Sequence, residues 1–156
     1  MLTRRNFLAI AAATATALLA ACSGEKDEAP AAAPATAFFS ATGNTEGVAT
    51  AIAERLGADV FAIEAEQPYT KADLNYNDDA SRVSIERADG TNPELVQVTP
   101  DGWADCDTVL LGYPIWWGEA AWPLRTFVEG NDFGEKTVVP FCTSGSSEIG
   151  SSADGL

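Results

Sequence analysis

The feature that most constrains this chain is a hydroxyl-rich loop set between an apolar run and an amphipathic stripe. Ala37-Phe38-Phe39 is short and apolar and reads as a buried strand. It ends in Ser40-Ala41-Thr42-Gly43-Asn44-Thr45. From Thr45 to Leu56, the residues Val48, Ile52 and Leu56 recur every four positions with Ala49 and Ala53 beside them, which makes one apolar face of a helix. Gly57 stands where a C-terminal cap is wanted. Asp59–Ala65, with Val60-Phe61-Ala62-Ile63 inside it, reads as a second strand. Strand, helix and strand within about thirty residues form the repeating unit of a parallel sheet, with a right-handed crossover.

The remainder continues the alternation. Residues 66–105 are punctuated by Asp, Asn, Pro and Gly, and only Ala80–Arg87 suggests a short helix. Thr108-Val109-Leu110-Leu111-Gly112 is a third strand, apolar throughout as burial on both faces requires. Ala120–Glu129 reads as a helix with Pro123 in its first turn. Lys136–Cys142 is a fourth strand, in which Pro140 should weaken pairing. Ser147–Leu156 begins a further helix. The expected fold class is therefore α/β, a doubly wound parallel sheet over residues 37–156.

Parallel strands bring their C-terminal ends to one edge, where ligands of open α/β sheets bind. Three strand exits carry unusual residues. Ser40–Thr45 stands directly before a helix N-terminus, whose free N–H groups and dipole suit a phosphate. It contains no lysine and is neither a P-loop nor a G-x-G-x-x-G turn, which favours a phosphate monoester over a triphosphate or dinucleotide. Gly112-Tyr113-Pro114-Ile115-Trp116-Trp117-Gly118 presents adjacent tryptophans, costly to expose without a planar ligand, one of which should pack into the core. Cys142-Thr143-Ser144-Gly145-Ser146-Ser147 is small and polar, able to bring backbone donors close to a ring edge. Without a ligand, the first is a hydroxyl-rich helix cap and the third an ordinary turn.

These motifs resemble the flavodoxin family. Ser-x-Thr-Gly-Asn-Thr at 40–45 is similar to its phosphate loop, and Gly-Tyr-Pro-Ile-Trp-Trp-Gly at 112–118 and Pro-Phe-Cys-Thr-Ser-Gly at 140–145 to the flavin-flanking loops of a bacterial flavodoxin-like subfamily. The resemblance spans about residues 36–156. It implies FMN as cofactor, with Ser40, Thr42, Gly43, Asn44 and Thr45 on the phosphate. Pro114, Ile115, Trp116, Trp117 and Gly118 would lie around the isoalloxazine on one side, and Thr143, Ser144, Gly145 and Ser146 on the other. Flavodoxins have five parallel strands and a closing helix. Four of those strands are recognisable here, so the fifth strand and last helix are expected to be missing and the domain incomplete.

The N-terminal residues read as a targeting segment. Thr3-Arg4-Arg5-Asn6-Phe7-Leu8 resembles a twin-arginine motif, and the apolar run Phe7–Ala21 is shorter than the roughly 20 residues of a membrane span. Leu19-Ala20-Ala21-Cys22 resembles a lipobox, in which Cys22 would be acylated. Residues 1–21 are thus expected to be a signal peptide, with an uncleaved membrane anchor as the alternative. Residues 22–36, rich in Ala, Pro and charge, read as a flexible tether reaching up to about 45 Å from the bilayer.

Composition bounds the chemistry. The 156 residues contain no histidine, which removes Ser-His-Asp and Cys-His catalysis and histidine metal sites. Cys106 and Cys142 lie in no metal-binding spacing and read as two thiols or, in an oxidising compartment, one disulfide. The net charge is −14, and loss of Arg4 and Arg5 with the leader would make it −16. Such a surface repels nucleic acid and favours a redox partner protein with a basic face, unless it serves solubility alone. The expectation is an FMN-binding electron-transfer protein, lipid-anchored outside the cytoplasmic membrane. The alternatives are an FMN-dependent NAD(P)H:quinone or nitro-compound reductase and a non-redox FMN-binding module.

Overall fold

The computed structural model describes residues 34–154. The expected twin-arginine segment, the lipobox with Cys22 and most of the tether lie outside the described residues. Within them, no helix is long and apolar enough to cross a membrane.

Four strands form a parallel sheet in the order β2-β1-β3-β5: β1 (Ala35–Phe38), β2 (Asp59–Ala62), β3 (Thr108–Trp116) and β5 (Thr137–Thr143). A two-residue strand, β4 (Glu119–Ala120), turns back antiparallel on the far end of β3. The first crossover carries the chain from β1 to β2 on one side, and the next strand, β3, returns to the other side of β1, so strand order reverses between β1 and β3. The expected α/β class and the four parallel strands are present.

Side chains alternate between the faces, as a pleated strand demands. Ala37, Phe39, Val109, Leu111 and Tyr113 pack with Leu124 and Phe127 of α3 (Pro123–Glu129) in the main core. Phe38 and Leu110 point to the opposite face. There α1 (Asn44–Leu56) buries Ala49 and Ala53, small residues that let its backbone lie close to the sheet. Gly57 caps α1 in the left-handed conformation, its N–H bonded to the Ala53 carbonyl. The central strands β1 and β3 are thus covered on both sides.

Several expected boundaries shift for identifiable reasons. β1 starts at Ala35, two residues inside the expected tether, because Ala35 and Thr36 pair with β2 and β3 and Thr36 is fully buried. The helix expected at 80–87 is α2 (Arg82–Asp89), started by Ser81, whose hydroxyl accepts from the Ser84 N–H. The ladder between β3 and β5 runs unbroken past Pro140, which pairs with Leu111. Among the described residues β5 pairs on one side only, and an edge strand tolerates a missing N–H. The helix expected from Ser147 is absent as far as Asp154. In its place are turns closed by Ser152 N–H to Ile149 and Asp154 N–H to Ser151, with Gly150 at φ 47°. Serines and a left-handed glycine favour such turns over a helix. Cys106 and Cys142 are both free, and Cys106 donates to the Thr108 carbonyl.

Leu111, with no exposed surface, sits mid-sheet, whereas Val139 on β5 is 46% exposed. Leu111→Ala should therefore cost about 2–5 kcal/mol of unfolding free energy, and Val139→Thr less than about 1 kcal/mol. Denaturant titration of both variants measures the difference.

Candidate functional site

The exits of β1, β3 and β5 meet at the C-terminal edge of the sheet. Gly43 adopts φ 84°, turning the chain into α1, and no side chain caps the helix. The first-turn N–H groups therefore have no intrahelical or side-chain acceptor. Asn44 Nδ2 donates to Thr42 Oγ1 at 3.1 Å. Ser40 Oγ is buried with no hydrogen-bond partner. Thr45 is buried, and its Oγ1 lies 2.8 Å from Thr143 Oγ1, tying the first exit to the third. An uncapped helix start, an orphaned hydroxyl and no cation make a set of neutral donors that fits a phosphate monoester.

The second exit departs from expectation. Gly112–Gly118 was expected as a loop, but β3 continues to Trp116 and β4 pairs with its end (Ile115 with Ala120, Trp116 with Glu119). Trp117 (φ 50°) and Gly118 (φ 85°) are left as a two-residue hairpin turn with both residues left-handed. Trp117 is the one non-glycine residue with positive φ among the described residues, a conformation strained for a bulky side chain. Tyr113 is fully buried, its hydroxyl 3.2 Å from Ser152 Oγ.

The two tryptophans differ as expected. Trp116 packs against the core, edge-to-face with Phe39, Tyr69 and Trp122 at 5.6, 5.2 and 5.7 Å. Trp117 lies outside that cluster. It stacks on Trp122 at 6.1 Å and 12°, and the Arg87 guanidinium is 5.1 Å from its ring centre. At the third exit, Ser144 Oγ accepts from the N–H groups of Ser146 and Ser147, which fixes the 144–147 turn.

A cavity of about 530 Å³ opens between these elements. Of the expected site residues, Thr42, Pro114, Ile115, Trp116, Trp117, Ser144, Gly145 and Ser146 line it. Ser40, Gly43, Asn44, Thr45, Gly118 and Thr143 do not; they lie beside it, in the turns at 40–43 and 117–118, the first turn of α1 and the end of β5. The cavity also has walls not foreseen from sequence: Ala41 and Ser147 beside the expected motifs, and Leu74, Tyr76 and Val83 from the segment after β2. A neighbouring recess of about 770 Å³ shares Ala41, Thr42, Leu74 and Tyr76 with it and adds Tyr69, Lys71 and Asn75. A further depression of about 590 Å³ runs along the outer flank of α1 from Asn44 to Leu56 and is mostly apolar.

The unforeseen wall is anchored by a buried charge. Tyr69 donates to Glu86 Oε2 at 2.7 Å, Arg82 Nε donates to Glu86 Oε1 at 2.6 Å, and the Arg82 guanidinium lies 4.1 Å from the Tyr69 ring centre. Burial first, then the bond to Glu86, raises the Tyr69 phenol above its ordinary range. Thr70 donates to Asp73 through both its hydroxyl and its N–H, which holds the Asp73 carboxyl below its usual value.

Residues 34–156 match the family model described as flavodoxin. The chain belongs to the flavodoxin family. It is similar to a protein from Bacteroides eggerthii designated a flavoprotein, at 42% identity and TM-score 0.74 over 78% of this chain and 77% of that one. A counterpart from Bacteroides uniformis, also designated a flavoprotein, shares 42% identity at TM-score 0.72 over 76% of each chain. A flavoprotein from Lactobacillus acidophilus, solved in complex with FMN, shares the fold at 22% identity and TM-score 0.62, over 75% of this chain and 78% of that one. No curated protein matches the sequence.

Glu86→Gln keeps the shape of the anchor but removes its charge, so the Tyr69 phenol should titrate at lower pH, read by phenolate absorbance. A phenol raised in the folded state contributes stability that is complete below its unfolded value of 10.0 and lost as pH rises beyond it. Unfolding free energy should therefore fall more steeply above pH 10 in the native chain than in Tyr69→Phe.

Proposed function

We propose that this chain binds FMN in the 530 Å³ cavity and serves as an electron carrier between protein partners outside the cytoplasmic membrane. The observation that carries the reading is the orphaned Ser40 hydroxyl in a loop whose following helix has no side-chain cap. In this reading Ser40, Thr42, Gly43, Asn44 and Thr45 form the phosphate cradle, donating through neutral hydroxyl and N–H groups. Thr45, already bonded to Thr143, contributes its backbone and holds the two loops together. Trp116, Trp117, Pro114 and Ile115 exclude water from one side of the ring, and Ser144, Gly145 and Ser146 offer polar backbone to its edge. FMN, when bound, supplies the one- and two-electron chemistry. The negative charge of the whole chain disfavours added negative charge on the ring and so lowers its potential.

The acidity also supports a partner with a basic face and salt-dependent association. The twin-arginine and lipobox signals support export and anchoring through Cys22. That export route is associated with already folded proteins, which suits a chain loaded with cofactor before translocation. A second reading, an FMN-dependent reductase of quinones or nitro compounds, is favoured by the recess of about 770 Å³ that adjoins the cavity with Tyr69 and Lys71 in its wall. A non-redox flavin-binding module would keep the cradle and show neither activity.

The purified full chain should turn yellow on incubation with FMN, and a colourless product would sink the cofactor assignment. Thr42→Ala and Ser40→Ala should each weaken FMN about tenfold and riboflavin by less than twofold, measured by equilibrium dialysis. Equal losses for both flavins would contradict the phosphate role. Steady NAD(P)H oxidation with a quinone would favour the reductase, and reduction only through a partner protein the carrier.

A further inference from the structure

We infer that the outer edge of β2 is a docking slot for an extended polypeptide segment bearing lysine or arginine, which would join the sheet as a further strand; this does not depend on the FMN reading. β2 pairs with β1 on one side only. Asp59 N–H bonds to the Pro34 carbonyl and Ile63 N–H to the Phe38 carbonyl, so Asp59, Phe61 and Ile63 direct their backbone groups at β1. Alternation along the strand turns the N–H and C=O groups of Val60 and Ala62 outward. Among the described residues no other segment bonds to these four groups. Both residues are exposed, Val60 by 51%.

The chain covers the next stretch of this edge and then leaves it. Glu66 N–H bonds to the Glu94 carbonyl and Val96 N–H to the Glu64 carbonyl, on either side of the antiparallel bridge between Ala65 and Leu95. In that register Val98 would face Ala62, and Pro100 would face Val60 with no N–H to donate. Instead the Val98 side chain packs against the main core, and Asn131 Nδ2 donates to the Val98 carbonyl at 2.8 Å. A groove of about 560 Å³ is left between β2 and residues 97–106. Val60, Phe61 and Trp103 give it apolar lining, and Asp59, Asp101 and Asp105 give it carboxylates with no lysine or arginine. Lys136 lies over the Trp103 ring, but its ammonium donates to the Trp103 and Cys106 carbonyls.

Charge selects the occupant. A second copy of this chain would bring the same carboxylates face to face, and an acidic segment would meet a chain of net charge −14. A strand with cationic side chains spaced by apolar ones satisfies every feature at once. Its backbone pairs with Val60 and Ala62, its cations reach the aspartates, and its apolar residues cover Val60. Ala35 and Asp59 place the groove at the start of β1 and β2, whereas the 530 Å³ cavity lies at the strand exits, so an occupant here leaves that cavity open.

The test uses the full chain and a synthetic peptide of about eight residues alternating Val and Lys. Amide exchange is followed by NMR, and affinity by fluorescence anisotropy of the labelled peptide. In the free chain the Val60 and Ala62 amides should exchange about tenfold faster than that of Phe61, and saturating peptide should slow both by about tenfold. Affinity should fall about threefold to tenfold as salt rises from about 0.05 to 0.3 M, and by a similar factor in Asp101→Asn/Asp105→Asn, with circular dichroism confirming the fold. A peptide with Glu in place of Lys, and a Val–Lys peptide N-methylated along its pairing edge, should each bind about tenfold more weakly. Absence of binding by the Val–Lys peptide would overturn the inference. So would binding that leaves the Val60 and Ala62 amides unprotected, since that is diffuse attraction to an acidic surface. Protection of both amides in the free chain would overturn it as well: growing with protein concentration, it assigns the edge to a second copy, and independent of concentration, to the chain's own residues before Pro34.

Discussion

The two-sided pairing of β3 is the constraint on which the rest depends. This strand is paired to β1 on one edge and β5 on the other, and its last residues pair with β4. Val109, Leu111 and Tyr113 on one face are completely buried, and Leu110 on the other is nearly so. A strand enclosed in this way cannot slip by one residue without turning its apolar set to the wrong face. Its far end is therefore held in register, and that end, Pro114–Trp116, forms one wall of the cavity. Gly112 shows how tight the arrangement is. A side chain there would come within 2.3 Å of the Phe141 ring, so glycine at this position reflects close packing of β5 and not a turn.

The charges follow the same division between fixed scaffold and exposed surface. Six lysines and arginines fall within the described residues, and four of them lie over aromatic rings: Arg82 on Tyr69, Arg87 on Trp117, Arg125 on Trp122 and Lys136 on Trp103. Arg82 and Arg125 also pair with Glu86 and Glu119. Most of the positive charge is thus spent locally, bracing aromatic walls, while most acidic side chains remain free to set the long-range field. An acidic surface is compatible with the phosphate role proposed for the 40–45 loop, because that segment contains no lysine or arginine and offers only neutral hydroxyls and N–H groups.

What was legible in the sequence was whatever depends on local periodicity or on a motif contiguous in the chain. The apolar run of β3 and the hydroxyl loop at 40–45 each carry their signal within about a dozen residues and lie where they were expected, whereas the Val48–Ile52–Leu56 stripe marked α1 as a helix but not its packing face: Val48 and Leu56 are exposed, and Ala49 and Ala53 beside them are buried. The hairpin at Trp117-Gly118 was not legible, because a left-handed tryptophan violates the turn preferences by which hairpins are recognised. Leu74 and Tyr76 were not legible for a different reason. Their segment is shaped by side-chain hydrogen bonds such as Thr70 to Asp73 and by a buried ion pair four residues apart on α2, neither of which produces an apolar period. Glu86 itself reads in sequence as an ordinary exposed helix residue, and only the packing of Tyr69 over it shows otherwise.

This difference in legibility has a physical counterpart in how the two halves of the site are built. The 40–45 loop is shaped by backbone geometry, a left-handed Gly43 and a helix start with no side-chain cap. The ring cavity is defined by side chains drawn from β3, the 144–147 turn and the segment after β2, which are far apart in the chain. The link between them is narrow: the Thr45–Thr143 hydroxyl pair joins the cradle to the end of β5, next to Pro114 on β3. Through that contact the 40–45 loop and the ring-sized cavity are set by the same sheet edge, so in the FMN reading proposed above the separation between phosphate and flat ring would follow from the strand register.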